Sequence, residues 1–304
     1  MLLSEGQRFM PKKTNHSETK QLVLVLGAQK CGTSWMWEFL RSLPQYRPGF
    51  MKEYHVFDSI HMKAFANYRR GILSAASKSM HTDMDSMSTD QRNAILRHNF
   101  CVNPSSYFDY MAGLLRGPGP SLTSDASPTY MALPASVLEH IGSECESRGI
   151  EVKPILLLRE PVARWLSDVR FSLQRRRVKY SPEAERVWME RAGGQKNRYL
   201  RAVSDYEGAV TRVRSVFGDN LLCLIYEEFF STKSTKTVCE FLGVDEFPGE
   251  FEQIRNQSKY VNAQNKTKPK DYLAFRDMFL PQYQFSLNYF GEDRIRNAWG
   301  DMVP

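Results

Sequence analysis

The most constraining feature of this chain is a short apolar run, Leu22-Val-Leu-Val-Leu26, that ends in glycine and passes after a brief loop into an amphipathic stretch. Unbroken apolar residues of this kind suit a parallel strand buried on both faces, because a strand with one wet face would alternate. Beyond the loop, Met36, Phe39, Leu40 and Leu43 fall at i, i+3, i+4 and i+7, one face of a helix that Pro44 stops. The connection Gly27-Ala-Gln29-Lys30-Cys31-Gly32-Thr33-Ser34 brings together two glycines, a lysine and two hydroxyls. Between a buried strand and a helix N-terminus, successive backbone N–H groups converge on one spot and make a cradle for phosphate or sulfate.

The same grammar recurs downstream. Pro154-Ile-Leu-Leu-Leu-Arg159 reads as a second buried strand, followed by Pro161 at a first helical position and a stripe of Val162, Trp165, Leu166, Val169 and Leu173. A third strand is predicted over Leu221 to Tyr226, after a helix whose face is marked by Tyr199, Val203, Tyr206, Val210, Val213 and Phe217. Strands alternating with helices predict an α/β fold, a P-loop-like parallel sheet flanked by helices. Residues 61–116 read as helical around an irregular patch, Met80 to Asp90, and are predicted to be a helical insertion over the cleft of a single domain. Residues 1–20 are polar without period and read as a disordered tail, which leaves 21–304 as the folded domain.

Composition narrows the class. With 42% apolar and 25% charged residues the chain is a folded globular protein, not a disordered or fibrous one. No apolar stretch reaches the length of a bilayer span, and the first 20 residues are too polar for a signal peptide. The five cysteines, Cys31, Cys101, Cys145, Cys223 and Cys239, show no C-x-x-C spacing, so neither a disulfide framework nor a zinc site is indicated. These features predict a cytoplasmic protein with no metal. A formal charge of +7 favours anionic partners without naming them.

The loop overlays the Walker A pattern G-x-x-x-x-G-K-[ST], except that Thr33 takes the place of the lysine and Lys30 lies earlier. An NTPase needs its lysine on the β and γ phosphates beside a metal held by the next hydroxyl, so the displaced cation suits a differently shaped anion. A P-loop kinase or NTPase therefore stands as an alternative. A second alternative is a non-catalytic module that binds polyanions through its excess of Lys and Arg, although no nucleic-acid motif is present.

Gly27-x-x-Lys30-x-Gly32-Thr33-Ser34-Trp35 resembles the 5′-phosphosulfate loop of sulfotransferases that use 3′-phosphoadenosine 5′-phosphosulfate (PAPS). Arg159-Glu-Pro161 followed by Ser167 is similar to that family's R-x-P…S segment, whose Arg and Ser hold the 3′-phosphate of the donor. Lys52-Glu53-Tyr54-His55-Val56-Phe57-Asp58 resembles the K-E-x-H-F-F-D segment of the heparan sulfate type and of many bacterial members, whose glutamate is the proposed base. Ser124 to Tyr130 resembles the E-K-[ST]-P-x-Y stretch, with Ala126 where the heparan sulfate enzymes carry a lysine. That departure removes one cation and leaves more of the leaving-group charge to Lys30. The segment Tyr260 to Pro269, with Asn265 and Lys266, is similar to the loop that closes over the 3′-phosphate in bacterial members.

What the resemblance implies is transfer of a sulfuryl group from PAPS to an acceptor hydroxyl, carried by a carbohydrate, lipid or small metabolite, with release of the desulfated nucleotide PAP. Glu53 would be the base, with His55 in reserve, and Lys30 would stabilise the departing phosphate. Gly27, Gln29, Lys30, Cys31, Gly32, Thr33, Ser34 and Trp35 would hold the phosphosulfate, and Arg159, Ser167, Asn265 and Lys266 the 3′-phosphate. Arg170 and the run Arg175 to Arg177 would extend a cationic surface past the donor. The acceptor's identity and the oligomeric state are not implied.

Overall fold

The computed structural model describes residues 19–119, 121–192, 197–247 and 268–304. Strand β1 (Lys20–Gly27) pairs with β2 (Leu122–Asp125) on one side and β3 (Ile150–Leu158) on the other. β4 (Leu222–Ile225) pairs with β3, so the described strands form one parallel sheet in the order β2-β1-β3-β4. Leu22 to Leu26 are each 0% exposed, because β1 is central and helices cover both faces. Helix α1 (Thr33–Ser42) follows β1 directly. Helices α2 (Phe57–His61), α3 (Ala66–Met80), α4 (Thr89–Val102) and α5 (Ser105–Leu114) then intervene before β2, and α6 (Ala135–Glu146) leads into β3.

Between β3 and β4 run α7 (Pro161–Arg175), α8 (Pro182–Ala192), α9 (Arg198–Ala202) and α10 (Tyr206–Phe217). The single helix expected before β4 is thus two. Asp205 interrupts it by turning its carboxylate back to accept the Gly208 N–H at 3.0 Å, which caps α10. Helices α11 (Tyr226–Phe229) and α12 (Thr232–Leu242) follow, and α13 (Leu280–Phe290) and α14 (Glu292–Trp299) close the described chain.

β2 has no apolar pattern to announce it. Its Leu-Thr-Ser-Asp sequence is buried because each polar side chain is paired. Thr123 donates to the Arg47 carbonyl at 2.9 Å, Ser124 lies 2.6 Å from the Tyr46 hydroxyl, and Asp125 accepts from Ser127 at 2.6 Å and Tyr107 at 3.1 Å.

A second core cluster joins α7 to the C-terminal helices through Val162, Trp165, Leu166, Tyr283, Ile295 and Trp299. Two carboxylates knit this cluster to the end of β3. Glu160 caps α7 by accepting the Val162 N–H at 3.0 Å and the Ala163 N–H at 2.5 Å, and it also accepts from the Tyr283 hydroxyl. Glu227 accepts the Glu160 N–H at 3.1 Å and the Trp299 indole N–H at 2.9 Å. The peptide after β3 is therefore held from several directions, and with it the arginine that precedes Glu160.

Arg170 corrects the sequence expectation. It is not part of an exposed cationic surface: it is 6% exposed and its Nε pairs with Glu185 at 2.5 Å, while Tyr272 donates to the same carboxylate at 2.7 Å. Arg175, Arg176 and Arg177 are exposed, as a solvated helix end. Glu185→Ala is expected to destabilise the fold by about 3–5 kcal/mol, since it strips the paired carboxylate from a buried guanidinium. A paired replacement, Arg170→Met with Glu185→Leu, should recover most of that loss. Urea midpoints of the single and paired variants check both outcomes.

Candidate functional site

The loop after β1 is shaped by two glycines. Gly27 has φ of 149°, and a Cβ there would stand 2.5 Å from the Pro128 carbonyl oxygen, so no larger residue lets the loop pack on the segment after β2. Gly32 takes φ of 87° as the N-cap of α1, with the Tyr226 ring 3.3 Å from where a Cβ would be. Lys30 between them also lies in the left-handed region, at φ 69°. No side chain caps α1 and its first turn holds no acid, so the helix presents its first N–H groups and positive dipole end without a built-in partner.

Three cations converge on this turn. Arg159, at the carboxyl end of β3, donates from Nη1 to the Lys30 carbonyl at 3.1 Å and lies over the Tyr226 ring at 4.2 Å. Its own carbonyl accepts from the Tyr206 hydroxyl at 2.8 Å, which fixes the backbone from the other side. The Lys30 ammonium sits over the Phe171 ring at 4.3 Å. Burial pulls this ammonium below its usual range; Asp168 opposes the shift, and the charges of Arg159 and Lys52 add to it. Lys52 donates to the Ser34 hydroxyl in the first turn of α1, at 2.7 Å.

From Lys52 a continuous line of hydrogen bonds runs inward. Its Nζ also lies 2.7 Å from Glu53 Oε1, Glu53 Oε2 is 3.1 Å from His55 Nε2, and His55 Nδ1 is 2.7 Å from Asp58 Oδ2. Glu53 and His55 meet through their side chains, while Tyr54 between them is 0% exposed and packs on Phe50, Phe100 and Tyr107. Asp58, three residues beyond His55 in the first turn of α2, is 0% exposed and also accepts from Thr129. His55 has φ of 51°, its backbone N–H donates to Ser127 Oγ at 3.0 Å, and its ring stacks on Tyr68 at 3.8 Å.

The electrostatics follow from these contacts. Burial alone would raise the Glu53 carboxyl, but the His55 hydrogen bond and the Lys52 charge outweigh it and hold the group at about 2. Burial alone would likewise lower His55, yet its hydrogen bonds to Asp58 and Glu53 raise it to about 9. Glu53 is thus an ionised carboxylate within one lysine of the uncapped first turn of α1. Such a pair can hold an oxyanion and accept a proton from a group attacking it.

The sequence-predicted residues divide into three sets. Gly27, Gln29, Lys30, Cys31, Gly32, Thr33, Ser34 and Trp35 form the loop and the first turn of α1, and Arg159, Glu53 and His55 are joined to them through the contacts above. Of the loop side chains, Gln29 accepts from the Tyr199 hydroxyl, while burial keeps the Cys31 thiol protonated, pushed up to about 12. Ser167 is half-buried in the second turn of α7, and its hydroxyl makes no hydrogen bond among the described residues. Asn265 and Lys266 lie outside the described residues. Ala126 is buried, with its N–H on the Lys52 carbonyl at 2.9 Å. The peptide at that position therefore positions Lys52, the second ammonium at the turn, which sequence reasoning did not single out. Asp58 and Thr129 were also missed; the three-residue step from His55 to Asp58 was the one available signal. Among the described residues no group of three or more His, Cys, Asp or Glu is placed to hold a metal ion, and no helix is long and apolar enough to cross a membrane.

Comparison with solved structures gives the fold. A sulfotransferase from Alicyclobacillus acidocaldarius, 20% identical, aligns over 88% of this chain and 95% of its own with a TM-score of 0.56. The sulfotransferase domain from the Synechococcus PCC 7002 olefin synthase, 18% identical, aligns over 88% and 91% with a TM-score of 0.47. No curated protein matches the chain. The family model described as the sulfotransferase domain matches residues 20–278, from the first residue of β1 into the segment before α13. The chain belongs to the sulfotransferase domain family.

Proposed function

We propose that this protein transfers a sulfuryl group from PAPS to an acceptor hydroxyl and releases PAP. The observation that carries this reading is the line Asp58–His55–Glu53–Lys52–Ser34, which ends on the uncapped first turn of α1. Two further features fit an anionic nucleotide. The α1 turn offers N–H groups without an acid, and Arg159 Nε is buried with no hydrogen-bond partner among the described residues. PAPS would supply the sulfuryl group, with PAP as the leaving anion.

In this scheme Gly32, Thr33 and Ser34 orient the phosphosulfate through backbone and hydroxyl groups, and Arg159 with Ser167 holds the 3′-phosphate. Glu53 takes the acceptor proton as the acceptor oxygen bonds to sulfur and the bond from sulfur to the 5′-phosphate oxygen breaks. Lys30 and Lys52 stabilise the charge that grows on that oxygen. His55 is a poor candidate for the base, because at about 9 it is protonated at neutral pH with its two ring nitrogens committed to carboxylates. Its imidazolium instead keeps Glu53 ionised and aimed. A carboxylate held at about 2 is a weak base. When the Lys52 ammonium shares its charge with an incoming anion, its grip on Glu53 relaxes and the carboxylate moves back towards its ordinary basicity.

The direct test combines binding with turnover. Calorimetry should find PAP bound in preference to AMP, with the preference removed by Arg159→Ala; equal affinity for the two nucleotides in the unmodified protein would overturn the donor assignment. In transfer assays with ³⁵S-labelled PAPS, labelled product should form equally with and without EDTA. Glu53→Gln should lower the rate by about 10²–10⁴ while PAP still binds, and unchanged turnover would remove Glu53 from the mechanism.

The His55 pair also links stability to pH. A folded-state value of about 9 lies above the ordinary histidine value near ~6.5, so the stabilisation is complete below that ordinary value and is lost as pH rises through about 9. Urea midpoints of the unmodified protein and His55→Gln should therefore differ most in mild acid and converge in alkali. A difference independent of pH would mean that the imidazole is neutral.

A further inference from the structure

We infer that Tyr68, in the first turn of α3, is a positioning residue: its ring face fixes the plane and supports the charge of the His55 imidazolium, which in turn aims the Glu53 carboxylate. The role rests on the reading above, in which Glu53 is the base.

Hydrogen bonds in the plane of an imidazole do not by themselves hold that plane. His55 Nε2 lies 3.1 Å from Glu53 Oε2, and Nδ1 lies 2.7 Å from Asp58 Oδ2 and 3.2 Å from Thr129 Oγ1. These contacts leave the ring free to rock about the line that joins its two nitrogens, and rocking swings each N–H away from its carboxylate. Tyr68 closes that freedom from one face. Its ring lies within 13° of parallel to the imidazole, with centroids 3.8 Å apart. Stacking of this kind also sets the positive charge of an imidazolium on the negative face of the phenol ring, which favours the charged form over the neutral one. Burial pushes the Tyr68 phenol up to about 12, with Asp58 and Glu53 adding to the rise, so the ring meets His55 uncharged.

A side chain can position another only if it is itself held. Three residues earlier, Phe65 is buried with Ala132 and Val203, and the Tyr68 ring packs on it at 6.2 Å. Phe65 also meets Tyr199 edge-on at 5.8 Å, and Tyr199 donates to Gln29 in the loop after β1. The row Tyr68–Phe65–Tyr199 therefore joins His55 to that loop by a path separate from the Lys52–Ser34 contact. Helix α4 braces the same segment through its backbone: Arg97 Nε donates to the Tyr54 carbonyl at 2.7 Å, in the peptide just before the left-handed His55. Ala66, Asn67, Arg69 and Arg70 around Tyr68 are exposed, which makes Tyr68 the inward side chain of its turn. Its hydroxyl makes no hydrogen bond among the described residues, so the ring face is the group in use.

The charged groups that face His55 from the other elements are Glu53 on its own segment, Asp58 from α2, and Asp125 at the end of β2, whose carboxyl feels the imidazolium. All three are acids and favour the cation. A further acid would repel an anionic donor, whereas an aromatic face supports the cation without adding negative charge to the site.

The test follows His55 by NMR in the full chain with ¹³C-labelled histidine, its signal identified by its loss in His55→Gln. In the unmodified protein the imidazole should titrate at about 9. Tyr68→Leu should bring this down by about 0.5–1 pH unit, the charge preference of a stacked ring, whereas Tyr68→Phe and Tyr68→Trp should hold it. Pentafluorophenylalanine in place of Tyr68 keeps the ring's shape but reverses the polarity of its face, and should act as leucine does even where the leucine variant folds poorly. With ³⁵S-labelled PAPS and water as the acceptor, Tyr68→Leu should lower kcat by about 3- to 10-fold at unchanged KM, and should cost nothing further in the His55→Gln background. The assignment of Tyr68 is overturned if His55 titrates near the ordinary histidine value in the unmodified protein, or if neither Tyr68→Leu nor the fluorinated ring moves it. Equal movement in Tyr68→Phe, or rate losses that multiply in the double variant, overturns it as well. Where water is not turned over, the titration alone decides. Equal affinity of the unmodified protein for PAP and AMP, or unchanged turnover in Glu53→Gln, sinks instead the reading beneath; with that reading intact, the outcomes above sink the role of Tyr68 alone.

Discussion

A partly buried carboxylate stays ionised only if cations or hydrogen-bond donors hold it, and the geometry around Glu53 is organised by that requirement. Lys52 and the His55 imidazolium flank it, and Asp58, fully buried, holds the far ring nitrogen of His55. Each group in the line has an opposite neighbour, so the cost of burying His55 and Asp58 behind the half-buried Lys52 and Glu53 is spread over their contacts. The left-handed backbone of His55 is stabilised from several directions at once: its N–H by Ser127, its ring by Tyr68 and its Nδ1 by Asp58.

The turn that receives this line is positioned by contacts distant in sequence. Gly27 admits the Pro128 carbonyl, Arg159 grips the Lys30 carbonyl from the neighbouring strand, and Ser34 meets Lys52. The ends of β1, β2 and β3 thus share one junction, at the carboxyl edge of a parallel sheet where such folds place their ligands.

The legible parts of this protein are those where one physical demand dominates. β1 and the apolar part of β3 are readable because burial on both faces leaves no room for polar residues, and the loop because glycines and a lysine at a strand-to-helix turn have few other uses. β2 escapes notice because its Thr, Ser and Asp are satisfied by partners as distant as Arg47 and Tyr107, which no local pattern encodes. The break between α9 and α10 turns on a single capping carboxylate, Asp205. Arg170 reads as a surface charge because its partner, Glu185, belongs to the next helix. Within the site, motif spacing could bring out Glu53, His55 and Arg159 singly. That Lys52 bridges Ser34 and Glu53 is a fact of tertiary structure alone.

Tyr283 and Trp299 sit in the last two described helices, far from the loop in sequence, yet their hydroxyl and indole groups end on Glu160 and Glu227, the carboxylates that clamp the peptide next to Arg159. The C-terminal pair of helices therefore works as a buttress behind the guanidinium. Variation that loosens this rear support would be felt as imprecise seating of one arginine at the front while the sheet stayed whole, so drift in the chain's most distal helices has a direct route to its chemistry.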